Sequence, residues 1–207
     1  MGVGIGVRIG VFGGTFDPIH MGHLIVAEDA RVALELDKVL FIPAGQPWFK
    51  SYRQITPSCH RLAMVRLAVE GNEFFDVADI EIRRSGPSYT VNTLTELKGQ
   101  YADADLIVVL GVDALREIDR WHEPRALFEM ASVVGMARPG ASLDPSVLNA
   151  AIPGASDRMR VLDSTLIDIS GTDIRKRVAT GGSIRYRVPA AVERYIKENG
   201  LYLTAVS

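Results

Sequence analysis

Val7-Arg8-Ile9-Gly10-Val11-Phe12 runs directly into Gly13-Gly14-Thr15-Phe16-Asp17-Pro18-Ile19-His20-Met21-Gly22-His23, and the change of pattern between the two decides how the chain is read. The first six residues have the length and β-branched content of a buried strand. Beyond His23, Leu24, Ile25, Ala27, Ala30, Leu34 and Leu36 recur at roughly helical spacing. What lies between is therefore a strand-to-helix turn. Gly13 and Gly14 carry no Cβ, so the backbone can turn sharply there and a ligand can approach it closely. His20 and His23 stand three apart at the predicted helix start, which lets their rings lie on one side of its first turn, with Gly22 keeping that surface open. A helix N-terminus presents unpaired N–H groups and the positive end of the dipole, so the turn is a candidate anion site. Two imidazoles added to it point to phosphate, and to phosphate whose charge changes during a reaction.

Working outward, strand and helix patterns alternate with short connections. Residues 38–43, 74–82, 106–110, 132–136 and 159–162 read as strands, and residues 60–69, 91–101, 113–120 and 190–198 as helices. Such alternation argues for an α/β fold with a mostly parallel sheet covered by helices on both faces. Ligands in these folds sit beyond the carboxyl ends of the strands, where the opening turn lies. Residues 139–160 are richer in Pro, Gly, Ser and Asp than their neighbours and have the look of a linker. The segment is short and a strand pattern follows it, so residues 1–207 are read as a single domain without internal repeats.

The 207 residues are 47% hydrophobic and 23% charged, the balance of a soluble globular protein. A formal net charge of -2 gives no general pull towards nucleic acid or an anionic membrane, so an anionic ligand must be held by a local gathering of cations. Cys59 is the single cysteine; it permits neither an internal disulfide nor a thiolate metal site, agrees with a reducing cytoplasm, and is read as a small buried hydrophobe. No apolar run approaches the ~18 residues needed to cross a bilayer. The N-terminal segment is too short, and lacks the basic start, for a signal peptide. Gly2, Gly4 and Gly6 alternate as in a dinucleotide fingerprint but precede the strand instead of following it, and are read as a flexible lead-in.

A second turn stands near the C-terminus, Ile169-Ser170-Gly171-Thr172-Asp173-Ile174-Arg175-Lys176-Arg177. Ser170 or Thr172 can cap the helix that follows, and Ser170 with Asp173 approximates a capping box. Two helix N-termini of this build, the second armed with Arg175 and Arg177, suggest a polyphosphate. Plainer readings exist for each residue. The His-x-x-His pair could bind a metal, but a catalytic zinc usually has a third protein ligand and none is signalled. Trp121 and Tyr89, taken singly, suit core packing. Lys176, Arg177 and Arg185 suit a solvated cationic face, and the His60 and His122 side chains have no pattern of their own.

The pair of turns, Gly-Gly-Thr-Phe-Asp-Pro-x-His-x-Gly-His and Ile-Ser-x-Thr-x-Ile-Arg, resembles the HxGH nucleotidyltransferases, and most closely the bacterial nicotinate-nucleotide adenylyltransferases. The likeness extends to Phe41-Ile42-Pro43-Ala44-Gly45-Gln46-Pro47, to Pro87-Ser88-Tyr89-Thr90-Val91-Asn92-Thr93-Leu94 and to Leu110-Gly111-Val112-Asp113 leading to Trp121. It implies a Rossmann-like, doubly wound α/β domain with a small helical C-terminal part. The implied reaction moves AMP from ATP to nicotinate mononucleotide, giving nicotinate adenine dinucleotide and pyrophosphate in NAD biosynthesis. His20, His23 and Arg175 would be catalytic, and Gly13, Gly14, Thr15, Phe16, Gly22, Ser170 and Thr172 would bind ATP. Asp17, Lys50, Tyr89, Thr90, Asp113, Trp121 and His122 would bind the acceptor. Mg²⁺ would be held through the ATP phosphates, with no protein side chain as ligand. The implied partners are ATP and nicotinate mononucleotide, with no nucleic-acid polymer and no membrane, and with room for a homo-oligomer.

The chain departs from the family pattern twice. Pro47-Trp48-Phe49-Lys50 replaces the usual Pro-Pro-His-Lys, and Gly171 replaces the second serine of Ile-Ser-Ser-Thr, keeping the backbone N–H while losing a hydroxyl. Two other readings therefore stay open. One is a sister enzyme using nicotinamide mononucleotide or phosphopantetheine, although the Thr90 and Trp121 segments count against phosphopantetheine. The other is a non-catalytic nucleotide-binding module, which Phe49 favours and which intact His20, His23 and Arg175 oppose.

Overall fold

β1 (Arg8–Gly14) sits at the centre of the sheet in a computed structural model that describes residues 6–47, 55–137, 145–165 and 167–203. It pairs in parallel with β2 (Lys38–Pro43) on one side and with β4 (Asp105–Gly111) on the other. β3 (Phe75–Val77) lies outside β2; β5 (Ser132–Ala137) and β6 (Met159–Asp163) lie outside β4. The result is one six-stranded sheet of order β3-β2-β1-β4-β5-β6 in which each described pairing is parallel. Chain progression reverses between β1 and β4, so the loops leaving their carboxyl ends diverge and a crevice opens between them.

The near-continuous apolar runs follow from burial of both faces. Alternate residues of a strand point to opposite sides. Phe12, Phe41, Val109 and Val134 thus share one core with Ala27 and Ala30 of α1 (Met21–Ala33), Met64 and Val65 of α2 (Ser58–Val69), and Val192 and Ile196 of α9 (Ala190–Glu198). Their neighbours Val11, Leu40, Val108 and Val133 share the opposite core with Leu94 and Leu97 of α4 (Thr90–Gln100), Leu127 of α6 (Pro124–Met130) and Leu148 of α7 (Pro145–Ala151). The small helical C-terminal part is α8 (Gly171–Ala179) with α9.

Three sequence expectations need correction. The strand expected over residues 74–82 ends at Val77, and α3 (Ile80–Arg83) follows, with Ile82 and Arg83 N–H both bonded to the Asp79 carbonyl at 3.0 Å. The apolar alternation in fact changes phase there, from Phe75 and Val77 to Ile80 and Ile82. The helix expected over residues 113–120 is broken into α5 (Val112–Leu115) and a 3₁₀ turn, Ile118–Arg120. Leu115 and Ile118, three residues apart, are both fully buried, and the tighter winding is a way to dock both. Within the linker-like segment α7 forms, held by the buried Leu148. Of the lead-in glycines, Gly6 is in close contact: a Cβ there would lie 2.5 Å from the Asp103 carbonyl oxygen. Gly2 and Gly4 lie outside the described residues.

Candidate active site

Two cavities open at the carboxyl ends of the strands. The first is walled by Gly13, Gly14 and Thr15 of the turn after β1, Ala44 and Pro47 after β2, Ser88, Tyr89 and Thr90 at the start of α4, and Trp121 and His122. The second is walled by Gly13, His20, Gly22 and His23, by Asp113 after β4, and by Ser164, Thr165, Ile167 and Ile169 before α8. Gly13 and Leu110 belong to both linings. A Cβ built on Gly13 would meet no atom within 4 Å, so the backbone there is open to ligands approaching from either cavity.

The histidines enter the second cavity because the turn delivers them to the start of α1. His20 is the N-cap residue, with extended φ and ψ of -147° and 169°. Its backbone N–H donates to His23 Nδ1 at 3.2 Å, so the ring of His23 reaches back as a capping-box Glu or Gln would. That bond makes Nδ1 of neutral His23 an acceptor and leaves its proton on Nε2. The rings stack with centroids 3.7 Å apart and 22° between planes. His20 is only 7% exposed, and its buried Nδ1 has no hydrogen-bond partner. Burial pushes its pKa down from 6.5 to about 4, so the imidazole is neutral at pH 7. A buried nitrogen without a partner on a cavity wall is a place for a ligand to complete. Gly22 leaves the room, since a Cβ there would lie 3.2 Å from His20 Nδ1.

The second turn is stitched to the first. Ser170 caps α8 by accepting the Asp173 N–H at 3.1 Å. The Asp173 carboxylate binds Arg177 at 2.7 Å and Arg187 at 3.5 Å instead of closing a capping box. Arg175 donates to the Asp17 carbonyl at 2.5 Å and to Thr172 Oγ1 at 3.0 Å. A Cβ on Gly171 would sit 2.8 Å from the Asp17 carbonyl oxygen, so glycine is what lets the two turns come this close.

Several expected ligand residues lie elsewhere. Asp17, expected against the acceptor, is 6% exposed and lies outside both linings. Its Oδ1 accepts the Tyr202 hydroxyl at 2.8 Å and its Oδ2 lies 4.0 Å from Arg175, so it is an interior counter-charge instead. Phe16, expected against ATP, is buried, its ring edge-on to His23 at 5.1 Å; it orients that imidazole from behind. Gly14 and Thr15 face the first cavity, and Asp113 the second, because the loop after β4 turns towards the histidines. Tyr89 and His122 stack at 4.2 Å and 25° on the first cavity's wall, beside Trp121 and Thr90. Ser170 and Thr172 are exposed at the start of α8. Lys50, with Trp48 and Phe49, lies outside the described residues. Cys59 is exposed, not buried, on the first turn of α2.

Sequence reading missed Arg61, Tyr202 and Glu81. Arg61 is 1% exposed and donates to the carbonyls of Thr15 (2.7 Å), Thr56 (2.9 Å) and Gly45 (3.2 Å). Burial works against its charge, and the nearby Asp17 carboxylate works for it. Tyr202, in the C-terminal turn, is held protonated far above the usual phenol range by burial and by Asp17. No spacing rule marks these residues, since Arg61 reaches Thr15 across 46 residues of chain, Tyr202 reaches Asp17 across 185, and Glu81 accepts from Thr93 on a separate helix; an arginine inside the apolar pattern of α2 is the one available signal.

The chain is similar to known proteins along most of its length. A cytidylyltransferase-like family model matches residues 11–177. A protein of Thermomicrobium roseum named a probable nicotinate-nucleotide adenylyltransferase is 50% identical over 197 residues, 95% of this chain and 92% of the relative. A protein of Roseiflexus castenholzii with the same name is 48% identical, covering 94% of this chain and 98% of the relative. Among solved structures, Plasmodium falciparum nicotinic acid mononucleotide adenylyltransferase complexed with NaAD superposes with a TM-score of 0.77 at 19% identity, over 97% of this chain and 99% of that one.

Two outcomes follow from the geometry. Tyr202→Phe removes a hydrogen bond to a buried carboxylate and should lower the unfolding free energy by about 1.5–3 kcal/mol in urea titrations. Because His20 titrates near 4 when folded and near 6.5 when not, the stability that its neutral form contributes is complete above 6.5. That contribution, up to about 3 kcal/mol, is lost as pH falls towards 4. His20→Asn should flatten this part of the acid limb when unfolding free energies are compared at about pH 5 and pH 7.

Proposed function

The chain belongs to the nicotinate-nucleotide adenylyltransferases, within the cytidylyltransferase-like family, and on that premise we propose a division of labour between its two cavities. The enzyme transfers the adenylyl group of ATP to the phosphate of nicotinate mononucleotide, releasing pyrophosphate and forming nicotinate adenine dinucleotide. The observation that carries the assignment is that the two cavities share Gly13, where a Cβ would meet no atom within 4 Å.

In this reading the second cavity takes ATP and the first takes the mononucleotide. A phosphate oxygen of the mononucleotide attacks the α-phosphorus in line, and the bond from that phosphorus to the β-bridging oxygen breaks, its electron pair leaving with pyrophosphate. The attacking oxygen belongs to the substrate, so no covalent enzyme intermediate is formed. The protein's work is to align two anions and to meet charge where it develops. His23 presents Nε2–H to the α-phosphate. His20, whose pKa burial lowers, gains an anion beside its ring, which opposes that desolvation. Arg175, already oriented by Thr172 and the Asp17 carbonyl, and the first N–H groups of α8 hold the β- and γ-phosphates.

On the acceptor side, the stacked Tyr89 and His122 rings and Trp121 offer flat faces to a pyridine ring. The start of α4 brings main-chain N–H groups and the helix dipole to its carboxylate. An amide in that place would set donors against donors, so the acid is the preferred acceptor.

The donor set also fits Mg²⁺ carried by the nucleotide. Among the described residues no cluster of three His, Cys, Asp or Glu side chains could hold a metal, and Asp113 is the one carboxylate lining the second cavity. A lone carboxylate at the cavity suits an ion that keeps several waters and takes its other oxygens from phosphates. When bound, Mg²⁺ would offset charge on the triphosphate. Among the described residues no helix is long and apolar enough to cross a membrane, and the reading places the enzyme in the cytoplasm.

Pyrophosphate release should be fast with ATP, Mg²⁺ and nicotinate mononucleotide and much slower with nicotinamide mononucleotide; turnover only with the amide or with phosphopantetheine overturns the assignment. His23→Ala should lower kcat by about 10²–10³ while leaving the circular dichroism spectrum intact, and a variant keeping most of its activity removes His23 from the mechanism.

A further inference from the structure

Arg61 has no direct part in the adenylyl transfer described above, for it is 1% exposed and belongs to neither cavity lining. Its guanidinium nevertheless holds the main chain of the first cavity's wall. Nη1 donates at 2.7 Å to the carbonyl of Thr15, which lines that cavity. Nη2 donates at 3.2 Å to the carbonyl of Gly45, which lies between the lining residues Ala44 and Pro47. Nε donates to the Thr56 carbonyl at 2.9 Å. Each nitrogen of a rigid planar fork thus engages one main-chain oxygen, so the three segments are kept at fixed separations.

The Gly45 contact carries further than the others. The C=O and N–H of a trans peptide point in opposite directions. With its carbonyl turned to Arg61, the trans Gly45–Gln46 peptide presents its N–H on the other side, where the Gln46 N–H donates to Ser88 Oγ at 3.2 Å. The same hydroxyl accepts the Gly45 N–H at 2.9 Å, and the Ser88 N–H donates to the Gln46 carbonyl at 3.0 Å. Ser88 stands two residues before Thr90, the first residue of α4. One line of hydrogen bonds therefore runs from Arg61 on α2, through a single peptide of the loop after β2, to the start of α4, whose N–H groups are assigned above to the acceptor's carboxylate. The loop has no slack to absorb a shift. Its Ala44 N–H is bonded to the Gly14 carbonyl at 2.9 Å, and a Cβ on Gly45 would lie 2.1 Å from the Glu81 carbonyl oxygen.

We propose that Arg61 is the positioning residue of the acceptor cavity: it sets the spacing between the turn after β1, the loop after β2 and the first turn of α4, and through that spacing the affinity for the mononucleotide. None of its three carbonyl partners belongs to a residue lining the second cavity, so the effect falls on the acceptor and spares ATP.

Arg61→Lys tests this while keeping the positive charge that the Asp17 carboxylate supports. An ammonium offers its donors from one point and cannot serve three carbonyls that a planar fork holds apart. The KM for nicotinate mononucleotide should rise by about tenfold or more, while the KM for ATP stays within about twofold and kcat changes far less than the acceptor KM. KM does not depend on how much of the enzyme is folded, so lost stability alone leaves it unmoved. Tyr202→Phe is the control for general loosening: it weakens the same buried network but touches none of the three carbonyls, and its acceptor KM should stay within about twofold. Ser88→Ala cuts the line at its other end without altering a buried charge. It should raise the acceptor KM and not the KM for ATP, and the double variant should be no worse than the poorer single one. If Arg61→Lys does not fold, the split between the two KM values in Ser88→Ala decides. An unchanged acceptor KM in Arg61→Lys or Ser88→Ala, equal rises in both KM values, additive effects of the two substitutions, or a rise in Tyr202→Phe matching that in Arg61→Lys would each overturn the proposal. The inference rests on nicotinate mononucleotide occupying the first cavity, and the two fail separately: an unsubstituted enzyme that does not turn that substrate over refutes the functional reading, whereas normal turnover with an unaltered acceptor KM in Arg61→Lys sinks this inference alone.

Discussion

Three main-chain carbonyls, from the turn after β1, the loop after β2 and the segment before α2, end on the guanidinium of Arg61, which has almost no contact with solvent. Taking that charge out of water is costly, and the arrangement holds only because each donor is aimed at an oxygen and the Asp17 carboxylate supplies the opposite sign. Asp17 in turn carries the Tyr202 hydroxyl and faces Arg175. One buried network of charge thus links the first turn, the second turn and the C-terminal residues. Its members cannot be removed singly at low cost, because each removal leaves a desolvated partner.

This network fixes the shape of both turns. A helix N-terminus can bind phosphate wherever it occurs; two of them can bind one triphosphate only if their separation is set beforehand. Here Arg175 spans the gap to the Asp17 carbonyl, and Gly171 removes the Cβ that would hold the turns apart. The serine usual at that position in the family would have to displace the Asp17 carbonyl. The absence of a Cβ at this position is therefore part of the departure's effect, beside the lost hydroxyl.

The sheet supplies the other half of the geometry. Because β1 and β4 are neighbours in space but leave towards different helices, their carboxyl ends open two cavities with Gly13 and Leu110 common to both. One cavity is rimmed by stacked aromatic rings and the start of α4, the other by imidazoles and the segment before α8.

What the sequence determined by itself was local. Gly13 to His23 reads as a strand-to-helix turn with an anion site, and Ser170 as the cap of a second helix, because period, cap and glycine signals act within a few residues; the same signals yield the alternating α/β order. Where the local signal was ambiguous the reading erred. The phase change after Val77 interrupts what looks locally like one strand, and the docking of Leu115 and Ile118 interrupts what looks like one helix. Asp17 and Phe16 were assigned to ligands because they stand inside the motif, whereas the fold turns them inward as counter-charge and packing. Arg61, Tyr202 and Glu81 could not be found from spacing at all. Their partners lie at distant points of the chain or on separate elements, and only the folded sheet brings them within hydrogen-bond reach. Which side of Gly13 each residue faces was likewise decided by tertiary structure, since it depends on how the loops after β1 and β4 diverge, and no local pattern encodes that divergence.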